Sequence, residues 1–325
     1  MPRKILKKKF NAMAFKHYSV LLAESIAGLD IKPTGIYVDC TLGRAGHSIA
    51  ILNQLTTGKL YAFEQDSQAI KESQTRLQGL NKSNYEIINA NFANITVELL
   101  TRGVTKVDGI LYDLGVSSPQ FDDHHRGFSY RYDSELDMRM NQNQPLTAKT
   151  VVNTYSEAEL ARIFWEYGEE KFAHPIAKAI VLARATKTIT TTFELVDIIR
   201  KVLPQKVLKK PKHPAKQVFQ AIRIEVNQEL FVLKTSLSQA VKLLKPNGRL
   251  VVITFHSIED RIVKQLFTTL ITDPNQTVNQ KLPIMSNYKS DYQIITKKAI
   301  TPSEQETGEN RRSKSAKLRI LKRVT

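Results

Sequence analysis

Asp39-Cys-Thr-Leu-Gly-Arg-Ala-Gly-His47 follows directly on the apolar run Gly35-Ile-Tyr-Val38 and leads into Ser48-Ile-Ala-Ile-Leu-Asn-Gln-Leu55. An apolar strand, a two-glycine turn and a helix start in this order make a ligand cradle. Glycine lets backbone N–H groups approach a ligand without a Cβ in the way, and the helix N-terminus offers unpaired donors. A dinucleotide fingerprint needs G-x-G-x-x-G for its pyrophosphate, whereas Gly43-Arg-Ala-Gly46 supplies only G-x-x-G. Asp39 stands at the mouth of the turn, where a carboxylate repels phosphate and welcomes a cation. An ordinary strand-to-helix turn has the same residues, so the reading depends on the rest of the chain.

Working outward, His17 to Leu29 has helical apolar spacing and stops near Pro33. Lys59-Leu-Tyr-Ala-Phe-Glu64 reads as a second strand whose last residue is acidic, 25 positions after Asp39 and near the ~20-residue interval at which a carboxylate reaches both hydroxyls of a ribose. A helix over Ser67 to Leu77 and a strand over Tyr85 to Asn89 follow. Phe92 then offers either an aromatic partner for adenine or a core side chain. Val107-Asp-Gly-Ile-Leu-Tyr-Asp113 is a fourth strand, placed at the topological switch point of a doubly wound sheet, so Asp113 to Gln120 should floor the reaction site. Acidic strand ends around a glycine turn suit S-adenosylmethionine, which carries a sulfonium and an ammonium but no phosphate.

The pattern then changes. Asp122 to Asn143 is polar and crowded with Arg, Asp and Met, which reads as a functional loop. From Ser156, which forms a capping-box pair with Glu159, the apolar period is helical for about 90 residues and interrupts the βα alternation as an inserted domain would. Lys201 to Lys216 holds six lysines and no acid, a solvated loop or a phosphate-contact face. After Pro246-Asn-Gly248 the strand Arg249 to His256 rejoins the sheet, and His256-Ser-Ile-Glu-Asp-Arg261 should line the substrate cleft. No G-x-S-x-G elbow supports a hydrolase. Phe267 to Glu309 is polar, poorly periodic and expected to be partly disordered. The alternation of apolar and basic residues from Ala316 suggests an edge strand with one cationic face.

Composition narrows the partners. Lys+Arg 48 against Asp+Glu 31 gives a formal charge of +17, which favours a polyanion such as nucleic acid over a membrane surface. Cys40, the single cysteine, has no partner for a disulfide or a cysteine-rich metal site, so a reducing, cytoplasmic setting without a metal is expected. No apolar run approaches the ~18 residues of a membrane helix, and the basic start lacks the apolar core of a secretory signal.

Together the blocks His17-x-x-Val-Leu-Leu-x-Glu24, Tyr37-x-Asp-x-Thr-x-Gly-Arg-x-Gly-His-Ser48, Asp113-Leu-Gly-Val-Ser-Ser-Pro-Gln120, Arg126-Gly-Phe-Ser129, Leu136-Asp-Met-Arg-Met140, Tyr167-Gly-Glu-Glu170, His213-Pro-Ala215, Phe219-Gln-Ala-x-Arg-Ile224 and Phe255-His-Ser-x-Glu-Asp-Arg261 resemble the bacterial 16S ribosomal RNA cytosine-N4-methyltransferases (RsmH, earlier MraW). The resemblance covers His17 to about Phe267 and returns at Arg311 to Arg319. It implies a Rossmann-like class I S-adenosylmethionine-dependent methyltransferase sheet with an inserted all-helical domain. It also implies methylation of cytosine 1402, in the usual rRNA numbering, in the decoding centre of the small subunit. The expected division is a basic arm over 1–16, a methyltransferase domain over 17–121 and 223–325, and a substrate-recognition insert over 122–222.

Cofactor contacts are expected at Asp39, Gly43, Ala45, Gly46, His47, Glu64, Phe92, Asp113 and Gln120. Base handling falls to Asp113, Ser117, Ser118 and Pro119. Contacts to 16S rRNA, within the small subunit and with a homodimer allowed, are expected at Arg126, Arg139, Lys212, His213, Lys216, His256, Arg311 and Arg312. The chain departs from the family pattern in three places: Ala45 stands for glycine, Ser134-Glu135 for Gly-Pro, and Lys216-Gln217 for Thr-Arg. Alanine at 45 requires a negative φ. The rival readings are an exocyclic-amine methyltransferase acting on DNA or another RNA, and a non-catalytic RNA-binding assembly factor.

Overall fold

The computed structural model describes residues 19–115, 123–274 and 288–325. The expected basic arm over 1–16, together with Ser117, Ser118, Pro119 and Gln120, lies outside the described residues.

Helix α1 (Leu22–Leu29) precedes β1 (Ile36–Asp39), α2 (Gly46–Gln54), β2 (Lys59–Glu64), α3 (Ser67–Gln78), β3 (Tyr85–Asn89), α4 (Ile95–Leu100) and β4 (Val107–Asp113). These strands are parallel, with Val38 paired to Tyr61 on one side and Ile110 on the other. Their side chains alternate between two cores, as the period of an extended chain demands. Val38, Cys40, Tyr61, Phe63, Ile110 and Tyr112 face one layer of helices, while Tyr37, Leu60, Ala62 and Leu111 face the other.

An all-helical unit follows: α5 (Ala148–Thr154), α6 (Glu157–Glu166), α7 (Ala173–Thr186), α8 (Thr192–Val202), α9 (Gln205–Leu208) and α10 (Lys216–Asn227). Capping boxes start two of these helices, Ser156 with Glu159 on α6 and Thr191 with Glu194 on α8. Their apolar faces share a third core, which runs from Phe128 to Val226. Positions 222 and 223, where the division was expected, both lie within α10, and Gln228, whose φ is 49°, breaks α10 from α11 (Glu229–Leu243).

The chain returns through β5 (Leu244–Thr254), α12 (Ser257–Ile271), β6 (Tyr292–Ile294), α13 (Glu304–Glu309) and β7 (Lys317–Arg323). The sheet order is β3-β2-β1-β4-β5-β7-β6. Strand β5 begins at Leu244 and not at Arg249, because Leu244 pairs with Val107 ahead of an irregularity that absorbs Pro246-Asn-Gly248. Within the polar segment from Phe267 to Glu309 the described residues include the end of α12, β6 and α13, and residues 275–287 lie outside them. One further expectation is corrected: strand β7 is internal, antiparallel to both β5 and β6. Its cations Lys317 and Arg319 converge on Asp260, at 3.1 and 2.7 Å, so their charges are satisfied within the protein.

Strands β1 and β4 run parallel, and the order in which strands are added reverses between them, from β1-β2-β3 outward on one side to β4-β5 on the other, so the crevice at their carboxyl ends is where an open α/β sheet places a ligand. Among the described residues no helix is long and apolar enough to cross a membrane.

Candidate active site

A cleft opens at that crevice. Its walls are the β1–α2 turn, the ends of β2 and β4, Asn91-Phe92 after β3, and, from outside the expected cofactor contacts, Met140, Phe255 and Arg312.

The turn is built by Asp39, but Asp39 does not line the cleft. One of its oxygens accepts from the Thr41 N–H at 3.0 Å and the other from the Ser48 hydroxyl at 2.7 Å, and the side chain is buried. Thr41 Oγ1 in turn accepts the Asp113 N–H at 2.7 Å, which ties the turn to the end of β4. The expected direct attraction between Asp39 and a cation is thus replaced by a framing role. Gly43 takes φ +48°, and Ala45 takes φ +59°, the left-handed region that alanine was expected to avoid. The Ala45 methyl is fully buried, so packing holds it there. At Gly46 a Cβ would stand 1.8 Å from the Ser19 hydroxyl.

Glu64 lies beneath the turn. Its Oε1 accepts from the Gln65 and Asp66 N–H groups, both at 2.9 Å, and its Oε2 accepts from the Gly43 N–H at 3.0 Å. A carboxylate has about four acceptor sites. Three of these are filled, which leaves one on Oε2. Burial pushes its carboxyl above the usual range, against the pull of the three N–H bonds. The Phe92 ring packs edge-on against Tyr112, centroids 5.5 Å apart, and also lines the cleft.

Asp113 lies at the end of β4 and lines the cleft. Its Oδ2 lies 3.5 Å from His47 Nδ1, and its Oδ1 is buried with no hydrogen-bond partner among the described residues. His47 is buried, with Nε2 3.2 Å from the Val20 carbonyl, an acceptor only, so Nε2 carries a hydrogen and Nδ1 faces the carboxyl. Burial, and then the charges of Asp39, Glu259 and Glu306, hold the Asp113 carboxyl well above the usual carboxylate range. Asp113 lines the cleft, and a carboxyl group there suits a cationic ligand and opposes a phosphate.

The expected RNA-contact residues divide. Arg126 is only 5% exposed and pairs with Asp66. Arg139 forks onto Asp137 and donates to the Gln142 and Gln144 carbonyls. Both are therefore internal fasteners. His256 is the N-cap of α12: Nδ1 accepts the Glu259 N–H, and its side chain is 10% exposed. His213 stacks on Tyr130, centroids 4.2 Å apart, while Lys212, Lys216 and Arg311 are exposed. Arg312 borders the cofactor cleft. One triad of described residues, Glu229, His256 and Glu259, has the spacing for a metal ion. The Arg223 guanidinium already forks onto Glu229 at 2.7 and 2.8 Å and supplies the positive charge there.

The profile of the MraW methylase family matches residues 14–324. Three relatives carry the name "Ribosomal RNA small subunit methyltransferase H". The one from Spiroplasma kunkelii is 64% identical over 312 residues, covering 96% of this chain and 100% of the relative. The one from Mesoplasma florum is 52% identical over 309 residues, covering 95% and 99%. The one from Lactiplantibacillus plantarum is 51% identical over 313 residues, covering 95% and 98%.

Proposed function

The chain belongs to the MraW methylase family, and from that premise we propose that it transfers a methyl group from S-adenosylmethionine to N4 of cytosine 1402 in the decoding centre of 16S rRNA. The broader activity, methylation of small-subunit ribosomal RNA, follows from relatives that match almost end to end. The cytosine, its N4 and the cytoplasmic setting rest on the family resemblance of the sequence blocks. One observation carries the cofactor reading: the buried Asp113 Oδ1 at the switch-point crevice, which has no hydrogen-bond partner among the described residues.

The cofactor supplies an electrophilic methyl group on a sulfonium. The chain's residues position and polarise. Gly43 and Gly46 let the turn approach closely, Glu64 Oε2 offers its remaining lone pair to a ribose hydroxyl, and Phe92 presents its ring to adenine. Asp113 supplies the negative charge opposite the cation. A positive ligand beside Asp113 shifts its carboxyl toward the ionised form, and the carboxylate can then accept a proton from the cytosine amino group. We assign Ser117, and the Ser118 carbonyl ahead of Pro119, to orienting that amino group, and Gln120 to the cofactor. Positioning provides most of the acceleration, because a methyl transfer from a sulfonium needs no enzyme nucleophile. A stacked cytosine hides N4, so the base is flipped into the cleft between sheet and insert. We assign substrate recognition to the helical insert, with Lys212 and Lys216 on phosphates.

The test is incubation with methyl-labelled S-adenosylmethionine and naked rRNA, 30S particles or duplex DNA. Label at one cytosine of 16S rRNA is expected. Label on DNA or on another RNA alone would assign a different exocyclic-amine methyltransferase, and RNA binding without label would leave a non-catalytic assembly factor.

A further inference from the structure

We propose that Arg126 is a positioning residue that fastens the helical insert to the cofactor end of the sheet and so sets one wall of the cofactor cleft, without contacting RNA. The inference rests on the cleft being an S-adenosylmethionine site, as proposed above.

Arg126 ends a short turn ahead of Gly127, whose φ is +68°. A Cβ on Gly127 would lie 2.2 Å from the Glu135 carbonyl oxygen and 2.9 Å from the Asp137 nitrogen, so only glycine lets these two strips of the insert lie together. The Met138 N–H closes the pairing by donating to the Arg126 carbonyl at 3.0 Å. The guanidinium then points out of the insert. Its Nη1 donates to Asp66 Oδ2 at 3.1 Å, while Nη2 donates to the Arg139 and Met140 carbonyls at 2.8 and 3.2 Å. Both ends of the ion pair are buried, Arg126 at 5% and Asp66 at 4% exposure.

Asp66 connects this fork to the cofactor side. Its Oδ1 caps α3 by accepting the Gln68 N–H, and its own N–H donates to Glu64 Oε1 at 2.9 Å. A chain of two contacts therefore runs from the insert's arginine to the carboxylate assigned to the ribose. A second thread runs beside it: Gln65 Nε2 lies 3.7 Å from Met140 Sδ, and Met140 borders the cleft. The two carbonyls held by Nη2 belong to Met140 and its neighbour, so the guanidinium sets where Met140 stands. A lysine ammonium carries the same charge but has no planar fork to serve a carboxylate and two carbonyls together.

The test compares Arg126→Met, Arg126→Lys and Asp66→Asn with the unaltered protein. It measures Kd and KM for S-adenosylmethionine, Kd for 16S rRNA, and melting temperature, with affinities taken well below each melting point. Asp66→Asn keeps an acceptor for the α3 cap and removes the charge. Arg126→Met should raise Kd and KM for S-adenosylmethionine about tenfold, inside the roughly 5–150-fold range of ordinary site-to-site coupling, and leave RNA affinity within about twofold. Arg126→Lys and Asp66→Asn should shift the cofactor constants in the same direction. Loss of RNA affinity with unchanged cofactor constants would overturn the proposal and return Arg126 to the RNA interface. Unchanged affinities with a lower melting point, or both affinities falling in parallel with stability, would reduce the pair to a folding role. If the unaltered protein bound no S-adenosylmethionine, the cofactor reading itself would fall.

Discussion

Replacing Asp113 with asparagine should separate charge from shape at the centre of the cleft. The two side chains are nearly isosteric, so packing and the Asp113 N–H bond to Thr41 persist. What changes is the buried oxygen, which has no partner among the described residues, and the charge opposite the ligand. A cation about 4 Å from a carboxylate gains about 4 kcal/mol at an effective dielectric of about 20. Desolvation offsets about half of that, so Asp113→Asn should weaken S-adenosylmethionine binding by about 2 kcal/mol, roughly thirtyfold.

The pH dependence follows with a definite sign. The folded, ligand-free protein holds the Asp113 proton more tightly than the unfolded chain, because burial and then Asp39, Glu259 and Glu306 raise its pKa. This group therefore costs the ligand-free protein stability as pH rises above about 3.9, the unfolded value, toward the raised one. A cationic ligand favours the ionised carboxyl, so binding releases a proton while Asp113 is protonated in the free protein. Affinity should rise with pH by up to about tenfold per unit in that range and level off above it. Isothermal titration calorimetry in two buffers of different ionisation heat, at several pH values, counts the proton directly. Wild type should release up to one proton and the asparagine variant none from this site. Equal proton counts, or a wild-type affinity independent of pH, would refute the assignment of Asp113 as the counter-charge.

Glu64→Gln should be costly even without ligand, since an amide cannot accept from Gln65, Asp66 and Gly43 with both ends. Losing the Gly43 bond removes about 1.5–3 kcal/mol, a drop of several degrees in melting temperature by calorimetry, and cofactor affinity should fall with it. At position 45, relief of the left-handed strain by glycine, about 1–2 kcal/mol, is offset by a lost buried methyl and a looser unfolded chain, about 1–2 kcal/mol together. Ala45→Gly should thus leave denaturant stability within about 1 kcal/mol. Ala45→Val, β-branched at φ +59°, should lose more than about 2 kcal/mol, and equal stability of the two variants would contradict the geometry. Lys212→Ala with Lys216→Ala should lower the salt slope of RNA binding by about 2 in filter-binding titrations, roughly one per phosphate lost, whereas Arg139→Ala should leave that slope unchanged.

Legibility followed sequence distance. The parallel strands were readable because each is a short apolar run closed by a polar residue, and β2, β3 and β4 end where the pattern predicts. The Ser156 capping box was readable because its partner is three residues away. Two of the residues read differently from sequence are cations whose acids lie far off in the chain. Arg126 meets Asp66 sixty positions earlier, and Arg319 meets Asp260 fifty-nine positions earlier. An arginine cluster read without its partners resembles an RNA face, and a basic alternation resembles an exposed edge. Asp39 posed the same problem at short range: its residue type fitted a cation, and only the Ser48 and Thr41 bonds turn it inward. The left-handed φ of Ala45 has no signal in composition, since packing of its methyl overrides backbone preference.

The most direct measurement is calorimetric titration of the ligand-free protein with S-adenosylmethionine, S-adenosylhomocysteine and NAD. One saturable site for the two adenosyl sulfur compounds, lost or sharply weakened in Asp113→Asn, is the predicted result. No heat with either compound, or competition for the site by the pyrophosphate of NAD, would contradict the account at its root.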